Sequence, residues 1–242
     1  MGVGYEASPL HRISFLVVDD SAPYTTEPPA GWGLPPIPGA KYKYMTDPPR
    51  FRSPAASEII RWRDQLALKY LAQLGERLTW DEESAYAVGE EAAVSADVML
   101  RYVAAIVDER GPGGLRGLVG AERPPREETH RALDAVERRG FTGRFPQLSL
   151  GEYYWLPFQR NLIIEEPDWK GKTARFGSIY RLADQLSDIR ALLLQADPGC
   201  AEWTAEREVP TRILWAAWQA SETMAKICAA GAERHLPVWT TG

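Results

Sequence analysis

Three acidic residues that could do chemistry follow an apolar run in the stretch NLIIEEPDWKGK, which covers residues 161–172. Glu165, Glu166 and Asp168 could converge as catalytic carboxylates, which hydrolytic enzymes use in pairs or as ligands of a divalent metal. Neighbouring side chains of a strand alternate between its faces, so the two glutamates point in opposite directions unless the strand ends between them. Pro167 favours such an end. The pattern leaves open a catalytic cluster or the solvated end of a strand.

The same stretch places an aromatic residue among charges. Trp169 follows an acid and precedes two lysines. An exposed aromatic side chain surrounded by charge is typical of the hot spots of protein interfaces. We therefore predict that this stretch binds a partner protein. The predicted binding residues are Glu165, Glu166, Asp168, Trp169 and Lys170.

A histidine provides a second set of candidate ligands. Glu127 and His130 have the ExxH spacing of di-iron bundles, because residues i and i+3 share a helix face. That site needs two such elements, and neither His11 nor His235 has a glutamate three residues before it. His130 is predicted to be an exposed helix residue. In the enzyme alternative, Glu165 or Glu166 with Asp168 is completed by Glu90, Glu91 or His130.

Acids also follow a predicted helix start. The capping box Thr79–Glu82 predicts a long second helix that reaches Gly111. On it Glu83, Glu90 and Asp97 recur every seven residues on one face, but two turns separate successive members, so one metal ion could not reach all three. We predict a solvated acidic stripe and no metal site.

Motifs for nucleophiles and cofactors are absent from the sequence. There is neither a G-x-S-x-G elbow nor a Walker A loop, and Ser178 is predicted to cap a helix. Cys200 and Cys228 lie far apart in contexts that favour burial. We predict no cofactor, and we lean towards a protein that is not an enzyme.

The predicted fold is α+β and mainly α-helical, with about five helices and a small sheet from residues 13–18 and the strands around 153–165. Prolines crowd residues 1–52, which predicts an extended N-terminal arm with one short strand. Residues 53–242 are predicted to form a globular domain with a flexible, glycine-rich connector at 111–125. Ser53 and Pro54 predict the start of the first helix. A short helix is predicted from Pro125 to about Arg139, closed by Gly140, and a last helix is predicted to begin near Pro210.

The composition of the chain argues against several classes of partner and location. The chain of 242 residues has a net charge of -5, which argues against nucleic acid as a partner. Its first apolar run is too short for a signal peptide or a membrane span, and two distant cysteines fit a reducing cytoplasm. We therefore predict a cytoplasmic protein-binding module, possible examples being an acidic bacterial inhibitor or immunity-type protein that neutralises a basic partner. The alternatives are a small metal-dependent hydrolase and a structural or assembly subunit, and the oligomeric state stays open.

Overall fold

The structure is a computed structural model that describes residues 2–13, 15–16, 24–25, 42–43, 51–150, 154–202 and 211–241. The fold is α+β and mainly helical, as the sequence predicts. The α-helices are α1 (Ala56–Leu74), α2 (Val94–Arg110), α3 (Arg126–Arg138), α4 (Pro146–Ser149), α5 (Ile179–Ala196) and α6 (Ile213–Arg234). Short 3-10 helices cover Leu10–Arg12, Pro112–Leu118 and Pro198–Glu202.

Ten strands are described. They are β1 (Gly2–Ala7), β2 (Phe15–Leu16), β3 (Tyr24–Thr25), β4 (Tyr42–Lys43), β5 (Phe51–Arg52), β6 (Val88–Ala93), β7 (Tyr154–Leu156), β8 (Ile164–Pro167), β9 (Thr173–Ser178) and β10 (Val238–Thr241). Six of them form one sheet in the order β6-β1-β10-β7-β9-β8, in which only β7 and β9 are parallel. Two further ladders pair β2 with β5 and β3 with β4.

The two faces of the large sheet carry separate apolar cores. Helices α2, α5 and α6 pack on one face, and α1 covers the other. Strand alternation divides the side chains, so that Trp155 belongs to the first core while Tyr154 and Leu156 belong to the second. The sheet therefore holds both cores together.

Several predicted helix ends are confirmed. Ser178 is the N-cap of α5, and its hydroxyl accepts the backbone N–H of Arg181 at 3.2 Å. The helix predicted from Pro125 is α3, and α6 matches the last predicted helix. Helix α1 begins slightly later than predicted, with Ala55 as its N-cap and the Glu58 carboxylate accepting the Ala55 N–H.

The prediction of a long helix starting at Thr79–Glu82 is wrong. Residues 88–93 form β6 instead, and α2 begins only at Val94. The Glu82 carboxylate caps no helix, because it is buried and accepts hydrogen bonds from the backbone N–H of His11 and the indole of Trp80. The acidic stripe is wrong for the same reason: its members lie on a loop, a strand and a helix, and Asp97 is buried.

The N-terminal segment differs in part from its prediction. β1 lies inside the large sheet, a strand that the sequence analysis did not predict. Of the strand expected over residues 13–18, Phe15–Leu16 forms β2, while residues 14 and 17–18 lie outside the described residues. Most of the proline-rich segment also lies outside them, so the division at residue 52 stays a prediction. The connector at 111–125 contains the 3-10 helix Pro112–Leu118, whose Leu115 is buried.

Candidate functional site

A cavity of about 970 Å³ opens on the sheet face that α2 covers. It lies between the start of α2, one side of α3, the ends of β1 and β10 that carry Val3 and Thr240, and the hairpin of β8 and β9. Charged side chains dominate its wall. The carboxylates are Asp97, Asp134, Glu137, Glu165 and Asp168, and the cations are Arg101, Lys170, Lys172 and Arg175.

An aspartate on α2 forms part of the cavity wall and joins two elements. The Tyr5 hydroxyl of β1 donates a hydrogen bond to Asp97 Oδ1 at 2.5 Å, and the Arg101 guanidinium contacts Asp97 Oδ2 at the same distance. Burial, with the Asp97 charge beside it, raises the pKa of Tyr5 well above its ordinary value. Tyr5 therefore stays a neutral donor, and the group ties β1 to α2.

A second arginine joins the hairpin to α3. Arg175 of β9 contacts Glu165 Oε2 at 2.9 Å and Glu137 Oε1 at 2.6 Å, so one guanidinium serves two carboxylates. Its Cζ lies 5.0 Å from the ring centroid of Phe141. Asp134 lies one helical turn before Glu137, on the same face of α3. We call the solvent-exposed set Asp134, Glu137 and Glu165 the acidic rim.

Asp168 holds the turn of the hairpin. Its Oδ1 accepts the backbone N–H groups of Lys170 at 2.8 Å and Lys172 at 3.0 Å. The backbone of Asp168 also bonds to Lys172, and Gly171 completes the turn with a positive φ of 77°. This buried carboxylate therefore has a structural task, although it also lines the cavity.

Replacing Asp168 with alanine is expected to destabilise the fold by about 2 kcal/mol, because two backbone donors lose a charged acceptor. Urea unfolding followed by circular dichroism measures the change. Asp184→Ala is the matched control, since that exposed aspartate has only a surface ion pair with Arg181, and its loss should be within about 0.5 kcal/mol. Equal losses in the two variants would contradict the role given to Asp168.

The predicted catalytic residues do not all meet. Glu165 faces the cavity, whereas Glu166 points to α1, where it accepts a hydrogen bond from the Tyr70 hydroxyl at 2.7 Å and contacts Lys69. Lys69, and then Tyr70, lower the pKa of Glu166. His130 is exposed on α3 beside Arg126 and does not line the cavity. Glu90 and Glu91 lie on β6, at the opposite edge of the sheet from β8.

Trp169 is half-buried, whereas the sequence analysis expected an exposed indole. Its ring lies 5.3 Å from that of Trp62 and 5.2 Å from that of Tyr154, in edge-to-face geometry. The Lys170 Nζ is 5.5 Å from the Trp169 centroid, and burial lowers the pKa of this lysine. The predicted binding residues thus share one hairpin but face both sides of the sheet.

Other reactive groups are set apart from the cavity. Both cysteines are buried, and burial raises the pKa of Cys200 to about 12 and that of Cys228 further. Within the described ranges, no three or more histidine, cysteine or acidic side chains are grouped so that they could hold a metal ion. No helix in the described part of the chain combines the length and apolar character needed to cross a bilayer.

Several charged residues of the cavity wall are not among the predicted site residues, including Arg101, Asp134, Glu137 and Arg175. The spacing of Asp97 and Arg101 at i and i+4 was a usable local signal for an ion pair on one helix face. The contact between Arg175 and Glu137 had no local sequence signal, because it joins residues that are distant in the chain.

The assembled site presents both signs of charge around a single concave space. Carboxylates on α3 and β8 and the lysines of the hairpin turn line the same cavity. Such a wall suits a polar, charged group more than an apolar ligand, because pockets for apolar ligands are lined mainly by hydrophobic side chains. Comparison with protein-family models, curated proteins and solved structures gave no significant match.

Proposed function

We propose that this chain is a protein-binding module that engages a basic partner protein through the acidic rim of the cavity. The observation that supports the proposal is that the negative charges of the acidic rim are neutralised unevenly. Arg175 is shared by Glu137 and Glu165, and Asp134 forms no ion pair with any residue that the structure describes. A lysine or arginine of a partner would supply the missing positive charge.

Exposure and overall charge support the same partner. The side chains of Glu137 and Glu165 are 53% and 58% exposed, so they stay hydrated and accessible to a second protein. The chain has a net charge of -5, which favours encounter with a basic surface. An inhibitor or immunity-type protein that covers a basic partner would use these properties, and we include that class in the proposal.

Site-specific photo-crosslinking in the native host tests the proposal. A photoreactive amino acid replaces Thr173, an exposed residue that lines the cavity. The matched control places it at Gln195, which is exposed on α5 and does not line the cavity. We expect a protein of positive net charge to cross-link from position 173 only. Absence of such a product, or equal cross-linking from both positions, would contradict the proposal.

Charge reversal on α3 then tests the acidic rim with the captured partner. Asp134→Lys is expected to slow association about tenfold and to weaken its dependence on salt, because a rim charge acts mainly on the association rate. Glu127→Lys is the matched control, since it reverses an exposed acid on the same helix away from the cavity. Stopped-flow or surface-plasmon measurements provide the rates. Equal slowing by both substitutions would show that the association rate depends only on net charge, and it would contradict the role given to the acidic rim.

A further inference from the structure

The two edges of the large sheet differ in how they are protected. β8 is short, ends at a proline and is tied to α1, because the Trp62 indole N–H donates to the Pro167 carbonyl at 2.9 Å and Glu166 bonds to Tyr70. β6 has six residues and no proline. Edge strands of natural proteins are usually short, covered or interrupted, since their free backbone groups can pair with another chain.

β6 is an outer strand of the large sheet, and its middle residues are exposed. Its residues pair with β1 in one continuous antiparallel register, from Gly2 opposite Ala93 to Ala7 opposite Val88. No other strand in the described ranges pairs with β6. Residues 89–91 are exposed, and Gly89 presents no side chain that would cover the backbone. A further strand could therefore add to this edge.

Charge determines which strand would fit. Glu90 and Glu91 are consecutive, so they point to opposite faces of the sheet and make both faces of the edge acidic. Two copies of β6 side by side would bring these four carboxylates together, and like charges on neighbouring strands are destabilising. An extended segment with lysine or arginine at several positions would instead pair favourably with both glutamates.

We infer that β6 is a strand-addition site for an extended basic segment of another protein. The added strand would form main-chain hydrogen bonds with residues 88–93, and its cations would lie beside Glu90 and Glu91. The edge is continuous with the cavity, because Val3 lines the cavity and is the register partner of Ala92. The inference nevertheless goes beyond the cavity proposal, since it depends on a different surface and on backbone pairing.

Hydrogen exchange followed by mass spectrometry tests the inference on the full chain. The probe is a short, capped peptide in which pairs of consecutive lysines alternate with pairs of threonines, so that an added strand carries cations on both faces, and it is added in excess at low salt. We expect those amides of residues 88–93 that point away from β1 to exchange about tenfold more slowly with the peptide, while exposed amides of α3 stay unchanged. A peptide with glutamate in place of lysine, and the lysine peptide with a central proline, should give no protection.

A variant and three contrary outcomes complete the test. Glu90→Lys combined with Glu91→Lys should abolish the protection, whereas Glu109→Lys, an exposed acid near the end of α2, should leave it unchanged. Unchanged exchange of residues 88–93, or equal protection by the acidic peptide, would overturn the inference. Protection that grows with protein concentration alone would show that a second copy occupies the edge and would overturn it too. None of these three outcomes affects the cross-linking test at Thr173, so the two proposals fail separately.

Discussion

Replacing Gly177 with alanine is expected to destabilise the fold by about 3 kcal/mol, or to prevent folding, because the new methyl group has no space. A Cβ built at this position would lie 2.7 Å from both Leu150 Cδ1 and Trp155 Cδ1, and closer still to the side-chain oxygen of Gln147. That oxygen accepts the backbone N–H of Ser178 at 2.8 Å. The substitution would therefore push apart packed side chains and a buried hydrogen bond together.

Urea unfolding of the purified variant measures this loss, and expression in the soluble fraction reports a failure to fold. Gly117→Ala is the matched control, because nothing lies within 4 Å of a Cβ built there. Its stability should stay within about 0.5 kcal/mol of the parent chain, with a small gain from reduced freedom of the unfolded chain. Similar stability of the two variants would show that the strand adapts to the methyl group.

Asp97→Ala should cost about 3 kcal/mol, because it removes the carboxylate that serves two buried groups. The Asp97 side chain is only 6% exposed and that of Arg101 is 18% exposed, so the arginine would keep its charge with little access to water. The Tyr5 hydroxyl would lose its acceptor as well. Both effects act on the junction between β1 and α2.

Thermal and urea unfolding of a double-mutant cycle check this expectation. Adding Arg101→Met to Asp97→Ala should recover part of the loss, since it removes the positive charge that has lost the Asp97 carboxylate while keeping an apolar side chain. Asp188→Ala is the control for an exposed ion pair, as Asp188 is 59% exposed and contacts Arg144 at 3.4 Å. An Asp97→Ala loss no larger than that of the control would contradict the pairing.

Local signals predicted much of the helical part of this fold. The ends of α3 and α5 agree with the structure, because Pro125 and Gly140 flank α3 and Ser178 caps α5. The alternation at Ile164, Glu165 and Glu166 left open whether the two glutamates diverge, and the structure shows that they do, because β8 continues to Pro167. Here local preference and tertiary packing agree.

Tertiary pairing overrode local preference at residues 79–93. The segment is rich in alanine and glutamate, which favour helices, yet β1 imposes strand geometry on residues 88–93 along its whole length. β1 itself gave no clear signal, since its sequence GVGYEA is short and contains two glycines. The helix prediction therefore failed because β1 and β6 stabilise each other as paired strands.

The candidate site was predictable only in part. The sequence identified the hairpin residues Glu165, Asp168 and Lys170, which do line the cavity. It could not place Asp134 and Glu137 near them, because α3 and the hairpin are distant in the chain and meet only in the folded structure. Charges that act together across distant elements have no shared period or spacing in the chain.

The positions of β1 and β10 have a consequence for biosynthesis. β10 lies between β1 and β7, so it joins the pair β6-β1 to the group β7-β9-β8. It is also the last strand of the large sheet to be synthesised. A nascent chain that ends after α6 would hold two unjoined half-sheets, and contacts between distant segments form slowly. Until β10 leaves the ribosome, Tyr5 and Trp155 would lack their register partners on that strand, and unpaired strand edges of this kind favour aggregation.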